Sequence, residues 1–162
     1  MHRNLWVLFD TNGYGLTPHH LELFKEAEMD SFWLDIKAYD SKIHRNLTGT
    51  SNEYVLKLPA EIIERDFVLE VTSVYIPNWV EADQIKKIAE LLAQIDTNIP
   101  YAIIAFLPEH KMNHGTSPNS PEMVNAFEAA KNAGLKNVKL GNLGQFVKNI
   151  EEYERLFKMA AT

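Results

Sequence analysis

The polar residues that could do chemistry in this sequence sit directly behind apolar runs. Asp10, Thr11 and Asn12 follow Leu5 to Phe9, Asp35 and Lys37 lie within Ser31 to Tyr39, and Glu109 and His110 follow Tyr101 to Pro108. If these runs are strands of a parallel sheet, ligands bind beyond their carboxyl ends, and the polar groups share one rim. Asp35 and Lys37 stand at i and i+2, so a strand points both the same way. A buried charge must be paired or coordinated. Either the two form a structural bridge with each other, or they face a cavity that holds something. Asp10 before Asn12 and Gly13 also reads as the cap of a turn, and His110 alone reads as a surface histidine. Three strands nevertheless bring Asp10, Asp35, Lys37 and His110 to one rim, and that convergence singles them out.

Other fragments carry less. His19 and His20 are adjacent in a first helical turn and face apart, which argues against a shared metal. His110 and His114 have a loop spacing open to zinc, but with too few further ligands. Gly141 and Gly144 in Asn142-Leu143-Gly144 and its neighbours could let backbone approach a ligand, although strand-to-helix turns use glycine routinely. No phosphate loop or nucleophile elbow is present.

The elements that must position the rim alternate along the chain. Leu5 to Phe9 reads as a strand, followed by a helix from Thr17 or Pro18 to Met29, where threonine caps and proline fits the first turn. Ser31 to Tyr39 is a second strand, and Asp40 to Thr50 a polar stretch. A helix over Asn52 to Arg65 follows, with Pro59 as a kink or break. Phe67 to Pro77 is the third strand. Glu81 to Ile95 is an amphipathic helix with Ile85, Ile88, Leu91, Leu92 and Ile95 on one side. Tyr101 to Pro108 is the fourth strand, Lys111 to Ser120 a loop, Pro121 to Ala133 a helix ended by Gly134, Asn137 to Leu140 a short strand, and Phe146 to Met159 the closing helix. Strands alternating with crossover helices mean βαβ units and a parallel sheet, an α/β fold.

The 162 residues suit one core, so a single domain over 1–162 is expected. A hydrophobic fraction of 46% with 23% charged residues is ordinary for a globular chain and excludes a disordered one. No apolar run approaches the roughly 18 residues of a membrane span, and the start lacks a secretory signal, so the chain reads as soluble and cytoplasmic, with no membrane partner. A net charge of −6 without a basic cluster argues against nucleic acid as a partner. There is no cysteine, which excludes disulfides, thiolate catalysis and an iron–sulfur cluster held by this chain's own thiolates.

In order, FDTNGYG, WLDIKAYDSKIHRNLTGTSNEYVL, VYIPNW and AFLPEH resemble the later part of the radical S-adenosylmethionine enzymes related to pyruvate formate-lyase-activating enzyme. The resemblance runs in register from about Leu5 to His110; beyond the Lys111 loop it is one of architecture. It implies an incomplete (β/α) barrel, a partial TIM-like fold. In that family two preceding units supply the cysteines of a [4Fe–4S] cluster and a glycine-rich segment that meets the methionyl amine. The cluster reduces S-adenosylmethionine to a 5′-deoxyadenosyl radical, which takes a hydrogen atom from the substrate, often a glycine of a partner enzyme.

Carried over by motif position, Asp10 and Thr11 with neighbouring Asn12, the Trp33 carbonyl and Asp35 would border a cation beside the methionyl group. Lys37 would approach the cofactor carboxylate, and His110 would lie against the adenine. Thr72 stands where an arginine reaching the cofactor is expected. The resemblance implies that the chain begins where the third barrel unit would begin, supplies part of the cofactor cleft and has no radical chemistry alone. The Leu5 to Phe9 strand would then be an open edge, awaiting the missing N-terminal half, a second chain or a second copy. The rival readings are a split enzyme with a cluster-bearing partner chain and a degenerate half-barrel acting as an interaction module.

Overall fold

The computed structural model describes residues 5–160 of the chain. Five strands, β1 (Leu8–Thr11), β2 (Ser31–Asp35), β3 (Val68–Tyr75), β4 (Tyr101–Ala105) and β5 (Val138–Gly141), pair in parallel and lie side by side in chain order. Between them run the helices α1 (Pro18–Glu26), α2 (Ser41–Thr48), α3 (Leu58–Ile63), α4 (Ala82–Ile95) and α5 (Ser120–Asn132), and α6 (Ile150–Ala160) closes the described chain. Right-handed crossovers between strands laid down in sequence put connecting helices on one side of a sheet. Burial follows that rule. On β2 and just beyond it, Phe32, Leu34 and Ile36 are fully buried, whereas Trp33, Asp35 and Lys37 alternate with them toward the other, open face. β1 and β5 are both edges, so the sheet is not closed: this is the incomplete barrel that the resemblance implies.

The helix-covered face is the core. Phe32 meets the rings of Phe9, Phe24 and Phe67 at 6.0, 5.9 and 5.1 Å, which ties β1, α1 and the approach to β3 to the middle of β2. Ile85, Ile88 and Leu92 of α4 are completely buried, as the amphipathic pattern requires.

Several element boundaries move. The first strand lies over Leu8–Thr11 and not Leu5 to Phe9, because its ladder pairs Leu8 with Ser31 and Thr11 with Leu34. Val7 precedes the strand and is clamped at its foot: its carbonyl accepts from Ser31 and its N–H donates to Asp30 Oδ2 at 2.7 Å. The polar stretch after β2 contains α2. Asp40 Oδ1 accepts from the Lys42 and Ile43 N–H groups at 2.8 and 2.9 Å, and Gly49, in the left-handed region at φ 79°, stops the helix. The single helix read over Asn52 to Arg65 is only α3, and Pro59 lies in its first turn, where the missing N–H breaks nothing. The Lys111 loop holds a short 3₁₀ turn over His110–Met112. The closing helix starts at Ile150, since Phe146 is buried and its carbonyl takes the Ser120 hydroxyl at 3.1 Å. None of the helices of the described residues is long and apolar enough to cross a membrane.

Candidate functional site

Parallel pairing brings the carboxyl ends of all five strands to one edge of the sheet. Asp10 pairs with Trp33 and Asp35 with Thr72, so Asp10, Trp33, Asp35 and Thr72 share the open face. Farther across that face Glu70 reaches Lys139 at 3.8 Å. Lys37 Nζ donates to Asp35 Oδ2 at 2.5 Å, with the two side chains about a third and a fifth exposed. The structural bridge therefore forms. It leaves Asp35 Oδ1 buried and without a hydrogen-bond partner, an acceptor with unspent capacity.

The turn after β1 is built by its own side chains. Thr11 Oγ1 accepts from the Gly13 N–H and Asn12 Oδ1 from the Tyr14 N–H, both at 3.0 Å. Thr11 pairs with Leu34 and alternates to the helix side, so its hydroxyl serves the turn, whereas Asp10 stays exposed on the open face. Gly13 has φ 75°, and a Cβ there would stand 2.6 Å from Leu58 Cδ1 and 2.8 Å from Val55 Cγ2. Only glycine lets this turn settle against Val55 and the first residue of α3.

Thr72 does not replace the expected arginine in kind. Its hydroxyl donates to the Ala102 carbonyl at 3.2 Å, spending itself within the sheet. His110 lies at the same edge, beyond β4, exposed and at φ 50°; it bonds none of Asp10, Asp35 and Lys37. His20 Nδ1 accepts from the Thr17 N–H at 3.2 Å and so completes the cap of α1. No group of three or more His, Asp or Glu among the described residues could hold a metal.

Sequence reasoning missed a cavity of about 740 Å³ at this edge, between the β1–α1 turn and the segment from α2 to α3. Asn12 and Lys37 line it, and so do His44, Thr48 and Thr50. His44 is almost completely buried, with Nδ1 3.1 Å from the Thr50 carbonyl oxygen. The available signal was the pairing of Asp40 with Gly49: a cap and a stop eight residues of helix apart would have placed His44 on α2 instead of in a loop.

No family model matches the chain. A protein of Methanocaldococcus jannaschii, whose name marks it as an inferred glycyl-radical enzyme activating enzyme, is 33% identical over 129 residues, which are 77% of this chain and 48% of that protein. The chain thus spans about half the length of the curated relative it matches. Among solved structures, a domain of pyruvate-formate lyase-activating enzyme from Bacteroides vulgatus superposes with a TM-score of 0.69 at 22% identity, over 85% of this chain and 82% of that one. The sequence likeness ties the chain to activating enzymes, in line with the radical S-adenosylmethionine resemblance, and the structural likeness shows that the fold is theirs.

Proposed function

We propose that the chain is the part of a radical S-adenosylmethionine activating enzyme that follows the cluster-binding units, and that it supplies one wall of the cofactor cleft. The observation that carries this reading is the Asp35–Lys37 pair on the open face that Asp10 shares, with one carboxylate oxygen of Asp35 buried and unpartnered. Those groups suit the methionyl end of the cofactor. Lys37 has two remaining N–H donors for a carboxylate. The Asp35 carboxylate and Asp10 would accept from an ammonium or border a cation, together with the Trp33 carbonyl and the turn of Thr11 and Asn12. His110 would lie over the adenine.

The cluster is a different matter. With no cysteine in the sequence, no set of residues here fits an iron–sulfur centre, and no step is derived through one. The cluster must come from residues outside this chain, either from a preceding segment or from a separate polypeptide, and the relative of about twice the length supports that view. What these residues do is bind and orient: Lys37 holds one end of the cofactor, and the Asp35 carboxylate keeps the ammonium of Lys37 on the open face. The expected partner is the cluster-bearing half, seated on the β1 edge.

Calorimetric titration of the chain with S-adenosylhomocysteine tests this. Saturable binding that Lys37→Met weakens about tenfold is expected, the loss of one charge-assisted hydrogen bond. Mixing the chain with a cluster-loaded amino-terminal half should restore 5′-deoxyadenosine production that the chain lacks alone. Affinity indifferent to Lys37→Met, or radical products from the isolated chain, would sink the proposal.

A further inference from the structure

The His44 cavity has a donor surplus that the cofactor cleft does not use. His44 Nδ1 stands 3.1 Å from the Thr50 carbonyl oxygen, which can only accept, and 3.2 Å from Thr48 Oγ1, whose own hydrogen goes to the His44 carbonyl at 2.8 Å; both therefore take the hydrogen of Nδ1, which leaves the Nε2 lone pair bare. His44 is 5% exposed, yet Nε2 bonds no described residue. Nor is it one of the sealed and unpartnered side-chain atoms of the described residues, Asp35 Oδ1 and Tyr101 Oη, and His44 lines the cavity. Around it the Thr50 hydroxyl is unengaged. The Ser51 oxygen accepts from the Glu53 N–H at 3.2 Å and keeps its own hydrogen free. Lys57 Nζ is held only loosely, 3.6 Å from Glu53 Oε1. Leu16, Val55 and Tyr14 supply the apolar part of the wall.

We infer that this cavity binds the oxyanion group of an organic acid, a carboxylate or a phosphoryl ester. On binding, one proton taken up from solvent lies between Nε2 and the oxyanion, which also accepts from Thr50, Ser51 and Lys57, while the apolar body of the acid lies against Leu16 and Val55. The volume, about 740 Å³, is that of an ordinary small-molecule site. Lys37 and Asn12, cofactor groups in the reading above, line the same cavity, but the oxyanion takes its hydrogen bonds from His44, Thr50, Ser51 and Lys57 and needs neither Lys37 nor Asp35.

The test is a titration of the 15N-labelled chain with benzoate and with phenyl phosphate, which carry the two oxyanions on the same ring, read at the histidine ring nitrogens. The expected result is a saturable shift of His44 Nε2, with the other five histidines unmoved and with sodium chloride at equal ionic strength giving none; the probe that saturates first identifies the group. His44→Asn separates binding from folding. Its amide nitrogen falls where Nδ1 lies and still donates to the Thr50 carbonyl, but nothing replaces Nε2. Affinity should fall about tenfold or more with the melting temperature kept, and Lys57→Gln should cost about threefold. An Nε2 signal that neither probe moves, a shift reproduced by chloride, or unchanged affinity in Lys57→Gln would overturn the inference, even if His44→Asn failed to fold.

Discussion

At the scale of single residues, the open face depends on one ion pair. Asp35 is about a fifth exposed, and its Oδ1 has no partner, so Lys37 is the group that justifies its charge. Lys37→Met removes the cation and strands the carboxylate in half-buried surroundings. Part of the cost is screened by solvent at the exposed lysine, which places the loss between that of a surface pair and that of a buried one, about 1–2 kcal/mol. A fall in Tm of roughly 2–8 °C follows for a chain of this size. Removing the charge as well, in Asp35→Asn with Lys37→Met, should recover most of it, because no bare charge then remains. Thermal melts of the two variants decide the matter. A double variant no more stable than the single one would mean that the pair is not what holds this face.

At the scale of elements, the second βα connection shows what was legible and what was not. Asp40 is an exposed carboxylate held below the ordinary range, first by the Ile43 N–H and then by the Lys42 N–H, against the opposing pull of desolvation. A carboxyl lowered on folding adds stability that is present above its unfolded value and is lost as pH falls through the folded one. Asp40→Ala should therefore destabilise α2 at neutral pH and hardly at all near pH 2, whereas Asp40→Asn keeps an oxygen for the cap at both. Equal effects of the alanine variant at the two pH values would contradict this. The same residues explain the limit of the sequence. The five strands and α4 announce themselves by apolar runs and a 3.6-residue period that burial then enforces. α2 is amphipathic but only eight residues long, with Ile43 and Leu47 as its apolar side, and its limits are set by its caps, Asp40 and Gly49, so a period sought over a longer window passes over it. With α2 unseen, His44 had no fixed place and its cavity could not be assembled. Asp35 and Lys37 were legible because strand alternation alone puts them together, whereas the Thr72 hydroxyl bond to Ala102 depends on which strand lies alongside β3.

At the scale of the molecule, the sheet order leaves two edges open to a partner. β1 and β5 are the edges. The β5 side carries α6, whose Leu156 is buried. The β1 side instead shows Leu5, Trp6, Val7 and Leu8 at 71, 67, 47 and 49% exposure, a continuous apolar run beside one unpaired strand edge. Such an edge templates further pairing unless charge, proline or a bulge blocks it, and none of these interrupts Leu5 to Phe9. In the reading proposed above, a preceding β/α unit would cover it. With nothing else present, the isolated chain should self-associate there. Sedimentation velocity over micromolar concentrations is expected to show dimer, and Leu8→Lys, at a half-exposed position outside the core, should return it to monomer with little change in Tm. Adding a separately expressed cluster-bearing half should dissolve the dimer in the same way, because both compete for one row of backbone N–H and C=O groups. A wild-type chain that sediments as a monomer throughout, or a dimer indifferent to Leu8→Lys, would move the interface elsewhere and leave the β1 edge without an assigned partner.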